Sequence, residues 1–311
     1  VYNSIYSLIK KFGEPFIRKA VRAAMKEVGN QFVLGQSIER AIKRGKSYQD
    51  KGYTFSYDML GEAALTNNDA IDYTNAYADT ISYLSKHCKS NDIKDNPGIS
   101  VKLSALYPRY ELVHKKAVLE ILGDRLLKLA LLAKQANMGL NIDAEEAARL
   151  DISLDIIEQV FSNPLLLGWN GFGVVVQSYS KRASEVLEWL YALSKKYNQK
   201  IMVRLVKGAY WDTEIKISQS EGMKDFPVFT SKAATDISYL ACAKKLFNMT
   251  DYIYPQFATH NAHTIFSIIK IAKQNQNYEF QRLHGMGATL YNQIMQNHQI
   301  KCRIYAPVGI H

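Results

Sequence analysis

The first third of the chain changes from a helical to an alternating pattern of apolar and polar residues. Over residues 14–28, apolar side chains from Phe16 to Val28 recur at steps of three and four, which predicts an amphipathic helix. Ser37 is a favourable N-cap for a second helix that runs to about Lys46. Beyond it, short apolar or β-branched runs alternate with long amphipathic stretches to the end of the chain.

Eight apolar runs are predicted as strands. They cover residues 53–57, 99–103, 139–142, 173–177, 201–206, 253–257, 278–283 and 303–305. Amphipathic helices such as 115–136 and 183–195 lie between them. Strand followed by helix, repeated eight times, predicts an α/β fold, a parallel (β/α)8 TIM-type barrel, because a helical crossover is needed to join parallel neighbours. The uneven strand spacing leaves a doubly wound open sheet as the alternative.

We expect residues 1–50 to form an N-terminal helical segment and residues 51–311 to form the barrel. The eighth helix is expected to be truncated, since the sequence stops at His311. The start at Val1 without an initiator Met indicates a piece of a longer chain. Roughly 250 residues are usual for a single barrel domain, so the 311 residues fit this division.

Composition excludes some classes of protein and leaves one alternative open. With 39 Lys+Arg against 29 Asp+Glu, the chain carries a net charge of +10 and is 47% hydrophobic. No apolar run approaches the ~18 residues of a membrane span, and the start lacks a secretory signal, so we expect a soluble intracellular protein. The basic residues are scattered at helical spacing, which favours solvated helix faces over a nucleic-acid or anionic-lipid binding surface. The three cysteines lie far apart, which disfavours disulfides and thiolate metal sites.

Polar residues at the carboxyl ends of the predicted strands are the candidate site, because barrel active sites lie at that end. In chain order they are Asp58, Lys102, Ser104, Asp143, Glu145, Glu146, Gln177, Arg204, Lys207, Thr259, His260, Asn261, His284 and Tyr305.

Two of these residues are cations flanked by apolar neighbours. Lys102 and Arg204 each sit within a β-branched or apolar run, where an unpaired charge is costly. An ion pair with Asp143 inside the barrel and contact with an anionic substrate are both consistent with Lys102. The presence of two inward cations favours an anionic ligand.

Two further segments carry candidate chemistry. Residues 206–211 follow a strand and combine small residues with Tyr210 and Trp211, so a flat cofactor or aromatic ring would fit against them, although core packing is also consistent. His260, His263 and His284 would supply ligands for a metal-dependent barrel hydrolase, the alternative function. Their spacing matches no metal motif, and we predict no metal site.

Taken together, these motifs resemble a known family, the flavin-dependent proline dehydrogenase domain of bifunctional proline utilization A. The similarity runs from about Phe16 to His311. The matching segments are FSYDMLGEAA (55–64), SVKLSAL (100–106), NIDAEE (141–146), RLVKGAYW (204–211), PQFATHNAH (255–263), LHGMG (283–287) and YAPVG (305–309).

The resemblance implies a distorted (β/α)8 barrel that holds FAD non-covalently, oxidises L-proline to Δ1-pyrroline-5-carboxylate and passes electrons to a membrane quinone. Substrate contacts are implied for Lys102, Asp143, Tyr210, Leu283 and Tyr305. Flavin contacts are implied for Gln177, Arg204, Val206, Lys207, Gly208, Ala209, Trp211, Thr230, Lys232, Thr235, Thr259, His260 and Asn261.

The resemblance also implies features beyond this sequence. The family's eighth helix carries an adjacent pair of arginines that clamp the substrate carboxylate, and the sequence ends before it. A downstream aldehyde dehydrogenase domain is expected in the full-length chain. Cytoplasmic localisation, with peripheral association at the inner face of the membrane, follows from the quinone acceptor. Some relatives bind DNA through an N-terminal segment, which this sequence lacks, so no nucleic-acid partner is expected for it.

Overall fold

Eight parallel strands form a closed barrel in the computed structural model, which describes residues 17–22, 29, 31–272 and 277–309. Each strand pairs with the next in chain order, and β8 returns to pair with β1. The closed barrel confirms the predicted fold class and rules out the open sheet. The strands are β1 (Thr54–Met59), β2 (Gly98–Val101), β3 (Leu140–Ile142), β4 (Phe172–Gln177), β5 (Ile201–Val206), β6 (Ile253–Ala258), β7 (Glu279–Leu283) and β8 (Lys301–Val308).

Helices surround this barrel and cover the outer faces of its strands. They are α1 (Ile38–Gln49), α2 (Asn67–Ser85), α3 (Leu103–Leu106), α4 (Lys115–Ala117), α5 (Gly123–Gln135), α6 (Leu150–Phe161), α7 (Ala183–Lys196), α8 (Trp211–Ser220), α9 (Lys232–Phe247), α10 (Ala262–Ile271) and α11 (Ala288–His298). None of the helices within the described ranges combines the length and hydrophobicity needed to cross a membrane.

The predicted helices are largely present, with one interruption. Ser37 caps α1 as expected, its side chain accepting from the Arg40 amide. The helix predicted over 115–136 contains a π-helical turn, Val118–Leu122, between α4 and α5. Of the helix predicted over 14–28, residues 17–22 are helical and the others lie outside the described residues.

One strand ends earlier than its sequence predicts. The sequence predicts a strand over residues 99–103, but β2 stops at Val101, whose carbonyl accepts the Asp143 amide at 2.9 Å. Lys102 then occupies the N-cap position of α3. The lysine therefore stands at the mouth of the barrel, where its ammonium group is only partly enclosed.

Paired polar residues close the amino-terminal end of the barrel. Arg303 and Glu279 are both buried, and the Arg303 Nε atom donates to Glu279 Oε1 at 2.8 Å. Gln256 joins them by donating to Glu279 Oε1 at 3.0 Å, and it accepts from Asn141 at 3.1 Å. A fully connected polar network of this kind is rigid. The opposite, carboxyl end of the strands is open and carries the cavity of about 490 Å³.

Candidate active site

A cavity of about 490 Å³ opens at the carboxyl ends of the strands. Its position is the one expected for a barrel active site. The predicted site residues that line it are Lys102, Asp143, Gln177, Arg204, Val206, Lys207, Gly208, Ala209, Tyr210, Lys232, Thr259, His260, Asn261, Leu283 and Tyr305.

Three predicted flavin-contact residues lie outside this lining. Trp211 starts α8, and its indole nitrogen donates to the Phe229 carbonyl at 2.9 Å. Thr230 is exposed just before α9, and Thr235 is buried in the first turn of α9. These residues border the loop between α8 and α9, and their contact with a cofactor stays a prediction.

Arg204 lies at the centre of a buried network on the cavity floor. Its Nη1 atom donates to Asp143 Oδ1 at 2.8 Å, and its Nη2 atom donates to the hydroxyls of Ser56 and Ser100, each at 3.1 Å. Tyr305 donates its hydroxyl to the second Asp143 oxygen at 2.8 Å. Burial, together with the nearby Asp143 carboxylate, raises the pKa of Tyr305 well above its ordinary value, so the hydroxyl stays protonated.

Lys102 stands beside three carboxylates, and the nearest is not the one that the sequence suggested. Its Nζ atom lies 2.8 Å from Asp58, 3.7 Å from Asp143 and 3.9 Å from Glu62. Burial lowers the pKa of Lys102, but the charges of Asp143 and Asp58 more than offset this and raise it above its ordinary value. Lys102 is therefore a permanently charged ammonium group at the cavity wall.

A second cationic position lies where β5 meets α9. Lys207 pairs with Asp236 and lies 3.4 Å from the Thr264 hydroxyl. Lys232, exposed at the start of α9, donates to the other Asp236 oxygen at 2.6 Å. One carboxylate thus holds two lysines at the cavity rim, an arrangement that suits a negatively charged group.

Gln177 connects three loops at the cavity edge. Its Nε2 atom donates to the Glu145 carbonyl at 2.9 Å, and its Oε1 atom accepts the Ala209 amide at 3.2 Å. Glu145 in turn accepts the Ser104 amide at 2.9 Å through its side chain. These hydrogen bonds therefore fix the positions of the loops after β2, β3 and β5 relative to one another.

His260 and His284 occupy different environments, although the sequence grouped them. His260 lines the cavity, and its Nε2 atom accepts the Leu283 amide at 3.1 Å. The Nδ1 atom must then carry the proton in the neutral ring. His284 is buried outside the cavity, edge-on to the Tyr48 ring at 5.8 Å.

Acidification should destabilise the protein through His284. Burial, with the charges of Arg44 and Arg282, lowers its pKa from 6.5 to about 4. Between these values the unfolded chain binds a proton that the folded chain does not, so the free energy of unfolding falls as pH drops from 6.5 to 4, by at most about 3 kcal/mol. Urea unfolding of the wild type and of His284→Asn across this range checks it. An equal pH slope in both proteins would contradict the assignment.

Seven cavity or network residues were missed by the sequence reasoning, and two of them, Val175 and Ala258, are apolar residues of β4 and β6. Ser56 and Ser100 lie inside β1 and β2, and only the inward register of these strands could have indicated them. Gln281 and Arg282 precede the LHGMG motif, and Ala144 follows Asp143. All three border the cavity, but the guanidinium group of Arg282 is directed away from it, toward Tyr48 and Tyr53. Ser56, Ser100 and Ala144 lie within the segments that match the family, but as small residues they are not distinguished there as site residues.

The histidines do not assemble into a metal centre in the part of the chain that the structure describes. No group of three or more His, Cys, Asp or Glu side chains there is placed to hold a metal ion. His263 is exposed on α10, whereas His284 is buried behind the barrel wall. The metal-dependent hydrolase therefore gains no support from the geometry.

A closed parallel barrel with a cavity at the carboxyl ends of its strands is the architecture of the (β/α)8 barrel enzymes. Within this class, the family described as "Proline dehydrogenase" matches residues 41–311. The chain belongs to the proline dehydrogenase family.

Individual relatives agree with this assignment. "Bifunctional protein PutA" of Salmonella typhimurium is 51% identical over 99% of this chain and 24% of that protein. A mutant PutA of Bradyrhizobium japonicum has a structure that matches with a TM-score of 0.87 at 49% identity, over 97% of this chain and 31% of that one. PutA from Bdellovibrio bacteriovorus, inactivated by N-propargylglycine, matches with a TM-score of 0.91 at 29% identity, over 98% and 33%. The chain thus spans about a quarter of the length of its curated PutA relative.

Proposed function

We propose that this chain is the catalytic domain of an FAD-dependent proline dehydrogenase, which oxidises L-proline to Δ1-pyrroline-5-carboxylate and transfers the electrons to a membrane quinone. The observation that carries the proposal is the pair of cations, Lys102 and Arg204, in a cavity at the carboxyl end of a barrel of this family. Proline brings a carboxylate to such a site, and a fixed ammonium group binds it.

The cavity suits a large polar cofactor. Arg204 Nε and His260 Nδ1 are buried donors without a hydrogen-bond partner among the described residues, and both residues line the cavity. A buried donor left unpaired is costly, so a ligand acceptor at each position would satisfy it. The volume of about 490 Å³ lies within the range typical of cofactor and ligand pockets.

In this proposal the loops that follow β4, β5 and β6 would hold the flavin. When bound, it supplies the acceptor for the hydride that leaves the carbon next to the ring nitrogen of proline. The residues that would hold it are Gln177, Arg204, Val206, Lys207, Gly208, Ala209, Trp211, Thr230, Lys232, Thr235, Thr259, His260 and Asn261.

The protein's own contribution is orientation and electrostatics. Lys102 binds the substrate carboxylate, and Asp143 keeps Arg204 and Tyr305 in place through its two oxygens. Tyr210, Leu283 and Tyr305 form the wall against the proline ring. Arg204 places a positive charge where negative charge develops during the reaction.

Gly208→Ala should weaken cofactor binding. Gly208 has a φ of +137°, and a Cβ atom there would lie 2.5 Å from the Tyr179 ring, so the loop after β5 must shift. The strain costs about 1–3 kcal/mol, and we expect a clearly lower flavin-to-protein ratio by absorbance. Gly222→Ala is the matched control, because Gly222 also has a positive φ of +65° but no atom within 4 Å. Equal flavin content in the two variants would refute the prediction.

The wider setting is also a proposal. The PutA relative is about four times as long as this chain, which supports a downstream aldehyde dehydrogenase domain in the full-length protein. That domain would take up the oxidised product. We infer cytoplasmic localisation with peripheral membrane contact, because a membrane quinone must be reached from a site open to a water-soluble amino acid.

An absorbance spectrum of the full-length protein, before and after anaerobic addition of L-proline, tests the function. Flavin bands that bleach with L-proline, but not with an equal concentration of L-alanine, are the expected result. Bands that persist with both amino acids would contradict proline as the substrate. Absence of flavin after reconstitution with FAD, in a protein folded by circular dichroism, would contradict the cofactor.

A further inference from the structure

Arg282 is a fully buried arginine without a carboxylate partner among the described residues. Three arginines are buried in that part of the chain, and two of them form ion pairs: Arg204 with Asp143 and Arg303 with Glu279. Arg282, only 2% exposed, forms no such pair there. Burying a cation without a counter-ion costs free energy, so other interactions must stabilise the charge of Arg282.

Aromatic rings and main-chain carbonyls take the place of a carboxylate. Arg282 points to the outer side of β7, where its guanidinium carbon lies 4.8 Å from the centre of the Tyr53 ring and 5.5 Å from that of Tyr48. Its Nε and Nη2 atoms have no hydrogen-bond partner among the described residues. Cation–π contacts offset only part of the cost of burial. The hydrogen bonds that Arg282 does form to the described residues are made by its Nη1 atom.

That interaction clamps the turn after β7. Arg282 Nη1 donates to the Leu283 carbonyl at 3.1 Å and to the Met286 carbonyl at 2.9 Å. The Leu283 amide donates to His260 Nε2 at 3.1 Å, so both main-chain polar groups of this residue are held by side chains. The next amide, that of His284, donates to the Tyr305 carbonyl at 2.9 Å.

The clamped residue is part of the cavity wall. Leu283 is 42% exposed and lines the cavity, beside Tyr305 in the β7–β8 register. The turn is packed closely against the segment that precedes α1, because a Cβ atom at Gly285 would lie 2.3 Å from the Gln31 carbonyl oxygen. The position of the Leu283 side chain therefore depends on the hydrogen bonds that Arg282 makes from behind the wall.

We propose that Arg282 is a positioning residue that sets the Leu283 side chain against the substrate ring and thereby determines selectivity for a five-membered ring. The inference rests on the proposed function, in which Leu283 contacts proline. Arg282 touches neither substrate nor cofactor in this arrangement. Arg282 acts through the turn after β7. When its hydrogen bonds are lost, the Leu283 side chain can move away from the cavity, which then has room for a larger ring.

The test uses Arg282→Met and Arg282→Lys in the full-length protein. A buried unpaired cation is replaced by an apolar side chain of similar volume at little or no loss of stability, so Arg282→Met should keep its melting temperature and flavin spectrum. We expect its KM for L-proline to rise about tenfold with kcat changed less than about threefold, because the wall acts mainly in binding. The preference for L-proline over L-pipecolate, its six-membered analogue, should fall by a similar factor. Arg282→Lys, which keeps one donor for the turn, should be intermediate.

Arg44→Met is the matched control. Arg44 is an exposed cation of α1 that lies near His284 but donates to the Val33 carbonyl, at 3.2 Å, and not to the turn. Its KM and ring preference should equal those of the wild type. If Arg282→Met folds and its KM and ring preference are unchanged, the inference is overturned. If Arg282→Met does not fold, the same result in Arg282→Lys overturns it. Misfolding of both variants would also overturn it, since it would show a structural role. A wild type that does not oxidise L-proline would instead refute the proposed function itself.

Discussion

Lys102→Ala should raise the KM for L-proline by about 10- to 100-fold and leave the flavin absorbance spectrum unchanged. The size follows from the loss of one charge-assisted hydrogen bond to the substrate carboxylate, worth about 1.5–3 kcal/mol. Lys102 is held by Asp58 at 2.8 Å and stays charged, so in the proposed function it binds the carboxylate as a fixed cation. Steady-state kinetics and the absorbance spectrum of the holoenzyme measure the two effects.

The control for this variant concerns the carboxylates that Lys102 leaves behind. Without the lysine, Asp58 and Asp143 stand at the cavity wall with less compensating charge, and their repulsion would also weaken binding of an anion. Lys102→Ala combined with Asp58→Asn restores the net charge of the pair. If the double variant recovers the wild-type KM, the charge balance and not the lysine contact is responsible, and the assigned role of Lys102 is wrong.

Arg204→Met should reduce kcat about 100-fold and make the flavin midpoint potential more negative. Its guanidinium is fixed by Asp143, Ser56 and Ser100, and its Nε atom is the buried donor without a partner among the described residues. A preorganised donor at developing negative charge contributes about 10²–10³-fold to a rate. Rapid reduction of the flavin by L-proline and a redox titration measure both quantities.

Arg204→Lys separates charge from geometry. Lysine keeps the positive charge but cannot reproduce a planar fork that reaches an aspartate and two serines at once. We expect it to restore most of the midpoint potential and only part of kcat. A midpoint potential in Arg204→Met equal to that of the wild type would show that the charge of this residue does not act on the flavin.

Much of the barrel could be predicted from local pattern alone. Each strand from β1 to β8 overlaps one of the eight predicted runs, because strands covered on both faces are rich in apolar residues. β7 fits this rule least well, since its five residues include Glu279, Gln281 and Arg282. The predicted ends are less accurate. The strand predicted over residues 303–305 extends over Lys301–Val308 in the structure. Pairing with β7 extends its start to Lys301, and pairing with β1 extends its end to Val308.

The candidate site was predicted in the same way, through the rule that barrel active sites lie at strand ends. That rule selects Lys102, Asp143, Arg204, Lys207 and Tyr305 from the sequence, and all five line the cavity. It also selected His284, which the structure places behind the wall. A residue just beyond a strand end can point into or away from the cavity, depending on the turn that follows. The rule contains no information about that turn.

The sequence by itself determined the order of strands and helices, the end of the barrel that carries the chemistry, and the types of charged group available there. These properties depend on hydrophobic periodicity and on residue identity, which are local. Only the tertiary structure decided which charges meet: that Lys102 lies closest to Asp58, that Asp143 divides its two oxygens between Arg204 and Tyr305, and that Arg282 holds Leu283 without a carboxylate of its own in the described chain. The contacts of Lys102 and of Asp143 join residues far apart in sequence, and closure of the barrel sets their distances. The Arg282 contact is short in sequence, but it depends on the fold of the turn after β7.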